Sequence, residues 1–331
     1  MKVTMAHGSG GASTSELIEN IFAKHFKNEY LDRMEDSAVV PGSERLAVTT
    51  DSFVVTPYFF PGGDIGRLSV CGTVNDLLMS GAKPKYITCG CILEEGMDLD
   101  DLDKIIESMA ATAKEAGVTV VTGDTKVVEK RGDFGGIMIN TSGVGFMPEG
   151  IALSPAGCKD GDALIVSGNL GDHHAAILSG RMNIKNNIQS DNAPLTEMVS
   201  GLIEQHIDVH AMRDVTRGGL GTVLHEFAGA SDCEIHLYQD KLPVSPEVRD
   251  FCKMLGLDPV YMGNEGKMIC VVNGKDADKA LSIIRASKYG EQAAIIGEVK
   301  KSDNNGVILH TAIGGERLIG PLYGEGLPRI C

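Results

Sequence analysis

Residues 46–84 read LAVTTDSFVVTPYFFPGGDIGRLSVCGTVNDLLMSGAKP, and the passage changes period halfway along. Leu46-Ala-Val-Thr-Thr-Asp51 reads as a strand ending on an acid. From about Gly66 to Met79 the apolar residues keep a helical spacing, closed by Ser80-Gly81 with Pro84 just beyond. Asn75-Asp76 interrupts that otherwise apolar helix, where an unpaired charge is costly to bury. The pattern predicts an α/β to α+β chain whose acids lie where strands and helices meet loops.

Outward from this stretch the alternation continues. On its amino side HGSGG (His7 to Gly11) feeds a helix marked by Leu17, Ile18, Ile21, Phe22 and Phe26. On its carboxyl side Lys85–Leu93 reads as a buried strand and Leu99–Ala116 as a helix capped by Asp98 and ended by Gly117. Val118–Val121 is a strand running into TGDTK (Thr122 to Lys126), and Gly136–Phe146 is another. A first domain, residues 1–150, closes near Met147-Pro-Glu-Gly150. The second, residues 151–313, has strands at Asp162–Ser167, Lys267–Val272, Ala293–Val299 and Val307–Thr311. Its helices are expected from near Asp172 and over Thr196–Gln205, Gly219–Gly229 and Ala277–Ser287, with Asn183–Pro194 as a mobile loop. Residues 314–331, with five glycines and two prolines, read as a mobile tail. A length of 331 residues suits two domains.

Thirty Lys and Arg against 45 Asp and Glu leave a formal charge of −15, which excludes nucleic acid and anionic lipid as general partners. No stretch approaches the roughly 18 apolar residues of a membrane span, and the amino end lacks an apolar signal core. A soluble, cytoplasmic protein is expected. The eight cysteines are scattered, and the Cys89/Cys91 spacing fits no usual zinc or redox pattern, so reduced buried thiols are expected. Cys331 stands apart at the end of the chain. The adjacent carboxylate works against its ionisation and Arg329 partly offsets this, so its advantage is reach rather than activation.

Asp51, Asp76 and Asp124 are oxygen donors of the kind that hold Mg²⁺; the bland reading of each is a cap or turn acid. Lys126 follows Asp124 by two residues and shares its face if the segment is extended, suited to a phosphate or to a surface ion pair. HGSGG can form a lid on a phosphate but lacks the Walker lysine and the dinucleotide spacing. Arg213-Asp-Val-Thr-Arg-Gly-Gly-Leu-Gly221 sets two arginines before a helix, an anion-favouring end. Gly263-Asn-Glu-Gly266 puts Glu265 just ahead of an apolar strand, and His173-His174 reads as a solvated or helix-start pair.

In order along the chain, HGSGG, the 46–84 stretch, VTGDTKVV, RDVTRGGLGTVLHE, GNEG and the closing PRIC resemble one family over nearly the whole length: the HypE hydrogenase-maturation proteins of the PurM-like ATP-binding superfamily. The terminal PRIC is the most specific of these motifs. The resemblance implies a two-domain PurM-like fold, with first-domain strands contributed to a β-barrel shared in a homodimer. It implies ATP-dependent dehydration of a carbamoyl group carried on Cys331, from S-carboxamide to thiocyanate. A HypF-type carbamoyltransferase would supply the group, and a HypC–HypD-type iron-bearing complex would accept the cyanide for the [NiFe] hydrogenase centre. ATP and Mg²⁺ are the implied cofactors, with Asp51, Asp76 and Asp124 on the metal. His7, Gly8, Gly10, Gly11 and Lys126 would serve the triphosphate, and Glu265 is the candidate base. Two other readings stay open: a small-molecule kinase or synthetase of the same superfamily, and a nucleotide-controlled thiol carrier without catalysis.

Overall fold

The computed structural model describes residues 1–9, 12–33, 37–130 and 135–322. A helical run opens the chain, from α1 (Ala12–Leu17) through a π-helical turn, Ile18–Ala23, to α2 (Lys24–Phe26). Then follow β1 (Leu46–Phe53), the two-residue strands β2 (Phe59–Phe60) and β3 (Gly63–Asp64), and α3 (Ile65–Met79). The first domain is completed by β4 (Lys83–Glu94), α4 (Leu99–Ala116), β5 (Thr119–Val128) and β6 (Ile137–Phe146).

These strands form a four-stranded sheet in the order β1-β6-β4-β5. Apart from register shifts near the start of β4, side chains alternate: Phe53, Thr141 and Cys89 face the helices, while Ser52 and Asn140 face away. Among the described residues only one face carries helices. The amphipathic α4 buries Leu102, Ile105, Ile106 and Met109, roughly 1.5–3 kcal/mol for each large apolar side chain. It is capped as expected, Asp98 accepting from the Asp100 N–H and Gly117 ending it in the left-handed region. By contrast α3 is buried nearly all round, since the second domain closes on the side that the sheet leaves free.

The second domain runs β7 (Ala163–Val166), α5 (Asp172–Arg181), α6 (Thr196–Glu204), β8 (Val209–Asp214), α7 (Gly219–Ser231), β9 (Cys233–Tyr238) and α8 (Pro246–Leu255). It ends with β10 (Met268–Val272), α9 (Ala277–Ala286), β11 (Ala294–Lys301), β12 (Gly306–His310) and β13 (Glu316–Ile319). Seven strands join in the order β13-β12-β9-β11-β7-β10-β8. The apolar run of β10 is buried on both faces: Met268, Cys270 and Val272 belong to the core shared with α6, α9 and the first domain, while Ile269 and Val271 pack with residues of α7.

Three expectations are corrected. β13 lies within the segment read as tail; it pairs with β12, and the Tyr261 hydroxyl donates to the Gly320 carbonyl at 2.9 Å, so the sheet runs to Ile319. The Asn183–Pro194 loop is irregular, but from Ile188 onward it is largely buried and hydrogen-bonded to both domains, and sequence polarity alone does not reveal such partners. His173 and His174 start α5 but are buried rather than solvated. The short elements β8, β9 and α8 carry no expectation in the sequence.

Candidate active site

The two domains meet where α3 lies against β8, and four carboxyl groups gather there. From the first domain come Asp51, on the helix-facing side of β1, and Asp76 of α3. The Thr49 hydroxyl donates to Asp76 Oδ2 at 2.8 Å, and the Ser52 N–H donates to Asp51 Oδ1 at 3.0 Å. Both groups titrate above the ordinary carboxylate range because they are buried, and for Asp51 the charge on Asp76 adds to the effect. Asp76 in an apolar helix is thus explained: it faces a polar junction rather than a core.

From the second domain come Asp214, at the end of β8, and Glu265, just ahead of β10. Asp214 pairs in register with Met268, which places the two acids at the same end of neighbouring strands. Burial, then the charges of Asp76 and Asp51, push Asp214 up to about 7, with Arg213 opposing. Burial followed by the charges of Asp214, Asp191 and Asp51 holds Glu265 well above the ordinary range, and Arg217 opposes. Glu265 Oε1 is buried with no hydrogen-bond partner among the described residues. A desolvated carboxyl group with one oxygen free of partners among the described residues, beside other acids, is suited to proton transfer and costly otherwise. Asp214 is the residue that sequence reasoning passed over. Its signal in the sequence is the one that marks Asp51, an acid after a short strand-like run, although β1 itself continues to Phe53.

Asp124 and Lys126 are elsewhere. The sequence strand Val118–Val121 extends to Val128, so both residues lie in β5 and, as expected, share a face, with Lys126 Nζ 3.2 Å from Asp124. Asp124 pairs with Gly90, in the row of Asn140 and Ser52 on the uncovered face. A single chain therefore does not bring Asp124 to Asp51 and Asp76. Among the described residues no three His, Cys, Asp or Glu side chains stand in range of one metal ion.

His7 and Gly8 form a short 3₁₀ turn against β5, His7 Nδ1 lying 3.0 Å from the Thr4 N–H nitrogen. A Cβ on Gly8 would sit 2.8 Å from the Val127 nitrogen, so only glycine lets the turn close on the strand. These two residues thus come to the Asp124–Lys126 strand rather than to Asp51. Between β5 and the α1–α2 run lies a cavity of about 260 Å³, largely apolar, lined by Phe22, Phe26, Leu31, Val120, Gly123 and Asp124 among others. Gly10, Gly11 and Cys331 lie outside the described residues.

Sequence and fold comparisons give this geometry a family. Residues 34–147 match the AIR synthase related protein, N-terminal domain, and residues 159–310 match the AIR synthase related protein, C-terminal domain. Carbamoyl dehydratase HypE of Cupriavidus necator is 45% identical over 335 residues, covering 100% of this chain and 95% of that protein. A crystal structure of hydrogenase maturation protein HypE in complex with ATP superposes with a TM-score of 0.95 at 45% identity, covering 99% of both chains. A HypE chain from a HypE–HypF complex superposes at 0.81 with 46% identity, covering 94% of this chain and 100% of that one. The chain belongs to the HypE family of carbamoyl dehydratases, enzymes of hydrogenase maturation built on the paired domains of the AIR synthase related proteins.

Proposed function

We propose that this protein dehydrates a carbamoyl group carried on its own Cys331, using ATP, and that the junction of Asp51, Asp76, Asp214 and Glu265 is where the reaction runs. The observation that carries the reading is the buried Glu265 Oε1, without a hydrogen-bond partner among the described residues and close to the acids of the domain junction.

An amide oxygen is a poor leaving group. The carbamoyl oxygen attacks the γ-phosphorus of ATP, ADP departs, and loss of one N–H proton leaves S–C(=NH)–O–phosphate. Loss of the second N–H proton expels phosphate as C=N becomes C≡N, giving the thiocyanate. Glu265 is the proton acceptor. A carboxylate held above its ordinary range is a stronger base than an exposed one, which suits a weakly acidic N–H.

Asp51 and Asp76 fit Mg²⁺: two carboxylates in a partly buried site, each destabilised in its charged form, are the sparse protein share that this ion takes when phosphates supply the rest. Bound there, Mg²⁺ supplies charge neutralisation to the triphosphate. From the other side Asp124 would engage the phosphates through Mg²⁺, while Lys126 and the His7–Gly8 turn, with Gly10 and Gly11 next in sequence, hold phosphate directly and Lys126 meets the transferring phosphoryl group. The apolar cavity beside β5 is sized for the purine base.

The uncovered sheet face, where Val48, Ile92 and Val128 are exposed, is covered by a second copy of the chain in a shared barrel. Such a homodimer carries Asp124 and Lys126 of one subunit toward the Asp51–Asp76 pair of the other. A HypF-type carbamoyltransferase loads Cys331, in line with the HypE–HypF complex, and a HypC–HypD-type iron complex takes the cyanide. Among the described residues no helix is long and apolar enough to cross a membrane, and we place the reaction in the cytoplasm.

Intact-protein mass spectrometry tests the reading. After incubation with the carbamoyltransferase, carbamoyl phosphate and ATP, the last peptide is expected to gain a carbamoyl group and then lose one water, and Cys331→Ala to do neither. Water loss without ATP, or turnover of a free substrate indifferent to Cys331, rejects it.

A further inference from the structure

Among the described residues nothing grips the Glu265 carboxyl at Oε1, so the aim of this side chain depends on its backbone. The Ala193 N–H donates to the Glu265 carbonyl at 3.5 Å, and one buried carboxylate takes the N–H groups of Glu265 and Gly266. Asp191 Oδ1 accepts from the Glu265 N–H at 3.1 Å, and Asp191 Oδ2 accepts from the Gly266 N–H at 3.3 Å and lies 3.3 Å from Lys267 Nζ. Lys267 also donates to the Gly266 carbonyl at 3.1 Å, and both charged side chains are at least nine-tenths buried. A Cβ on Gly266 would sit 1.9 Å from the Asp191 carbonyl oxygen, so the GNEG turn can lie this close only because it ends on glycine.

Asp191 belongs to a strap, residues 188–195, that is fastened at several points to the first domain. The Ser190 N–H donates to the Pro61 carbonyl at 2.8 Å, and Arg67 Nε donates to the Asn192 carbonyl at 2.9 Å. Asn75 of α3 makes two bonds, donating from Nδ2 to the Ala193 carbonyl at 3.1 Å and accepting at Oδ1 from the Leu195 N–H at 2.9 Å. Asn75 directly precedes Asp76. Backbone and hydrogen bonds together thus link Asp76 to Glu265 by way of Asn75 and the strap, although the two acids belong to different domains.

We infer that Asp191 is a positioning residue for the dehydration: through the strap it sets Glu265 in register with Asp76, so that phosphate transfer and proton removal act on one carbamoyl group. The inference rests on Glu265 being the base. A misplacement of about 1 Å in such an arrangement costs on the order of 10²-fold in rate without touching the bound nucleotide. A purely structural role makes a different forecast, because a buried ion pair can be exchanged for apolar side chains with stability regained.

The test uses the full-length protein, carbamoylated on its tail, with single-turnover loss of water after ATP addition, the KM for ATP and Tm measured together. Asp191→Asn keeps an acceptor for one N–H but not for both, and is expected to lose rate on the order of 10²-fold with the KM for ATP within about twofold. Lys267→Met leaves both N–H bonds to Asp191 and should lose far less rate. The double variant D191L/K267M removes the ion pair altogether; its Tm should recover toward wild type while its rate stays low, and it carries the test if Asp191→Asn fails to fold. Recovery of rate together with Tm in the double variant overturns the inference. Glu265→Gln separates the two claims: a slow E265Q with a fast double variant rejects positioning and leaves the base standing, whereas a fast E265Q removes the base and the inference with it.

Discussion

Asp51 and Asp124 point to opposite faces of one sheet: Asp51 lies in the helix-facing row of Thr141 and Cys89, and Asp124 in the next row, with Gly90, Asn140 and Ser52. They also sit three strands apart, roughly 14 Å across the hydrogen-bonding direction. One subunit cannot offer both to the same phosphate. If the site is completed by a second copy, Asp51→Asn and Asp124→Asn should each be inactive alone, and mixed subunits should recover about a quarter of the wild-type rate. Half of the random dimers then carry one intact site. An inactive mixture, with exchange verified by native mass spectrometry, places both residues in sites that do not combine.

The pH dependence of stability follows from Asp214. Its folded-state value of about 7 lies above the ordinary 3.8, so between these limits the folded state binds the extra proton. Its contribution is therefore present at low pH and lost as pH rises through about 7. Asp214→Asn cannot titrate, so its Tm should gain on that of the wild type between about pH 5 and about pH 8 in the absence of nucleotide and metal. A constant difference across that range contradicts the assignment.

Asn75 carries both of its hydrogen bonds across the domain junction. Asn75→Ala leaves a buried carbonyl and a buried N–H without partners, and unfolding by urea should show a loss of about 2–4 kcal/mol. Asn75→Asp keeps the acceptor but sets a buried carboxyl group against the Ala193 carbonyl beside Asp76, and should lose at least as much at neutral pH.

Shortening the chain separates the sheet from the tail. A protein ending at residue 322 keeps β13 and the Tyr261–Gly320 bond, so its Tm should stay within about 2 °C of full length while carbamoyl acceptance disappears. Ending at residue 314 removes Ile319, which is only 1% exposed, and bares the edge of β12, with an expected cost of about 2–5 kcal/mol. Equal Tm values for the two truncations would show that β13 contributes nothing.

Long periodic elements were legible in the sequence because their burial is one-sided: α4 follows its apolar stripe and its caps to within a residue. β8 was not, since VHAMRD mixes charged and apolar side chains without a period, whereas β9 alternates in CEIHLY and its signal was passed over. Asp51, Asp76 and Glu265 were visible as acids at element ends, and the structure brings them together. The separation of Asp124 was invisible, because the face on which a strand residue points depends on register, which spacing along the chain does not encode. Asp191 was hidden for a related reason: its partners are the backbone N–H groups of residues 74 and 75 positions away.

The last described anchor of the chain, the Tyr261–Gly320 bond, lies only four residues in sequence before Glu265. Cys331 lies eleven positions beyond Gly320, a span of at most about 40 Å when fully extended. A reactive group confined to that radius meets the junction at an effective concentration in the millimolar range, whatever the abundance of the protein. Saturation is then a property of nucleotide alone, and the number of catalytic cycles is metered by how often a partner reloads the thiol.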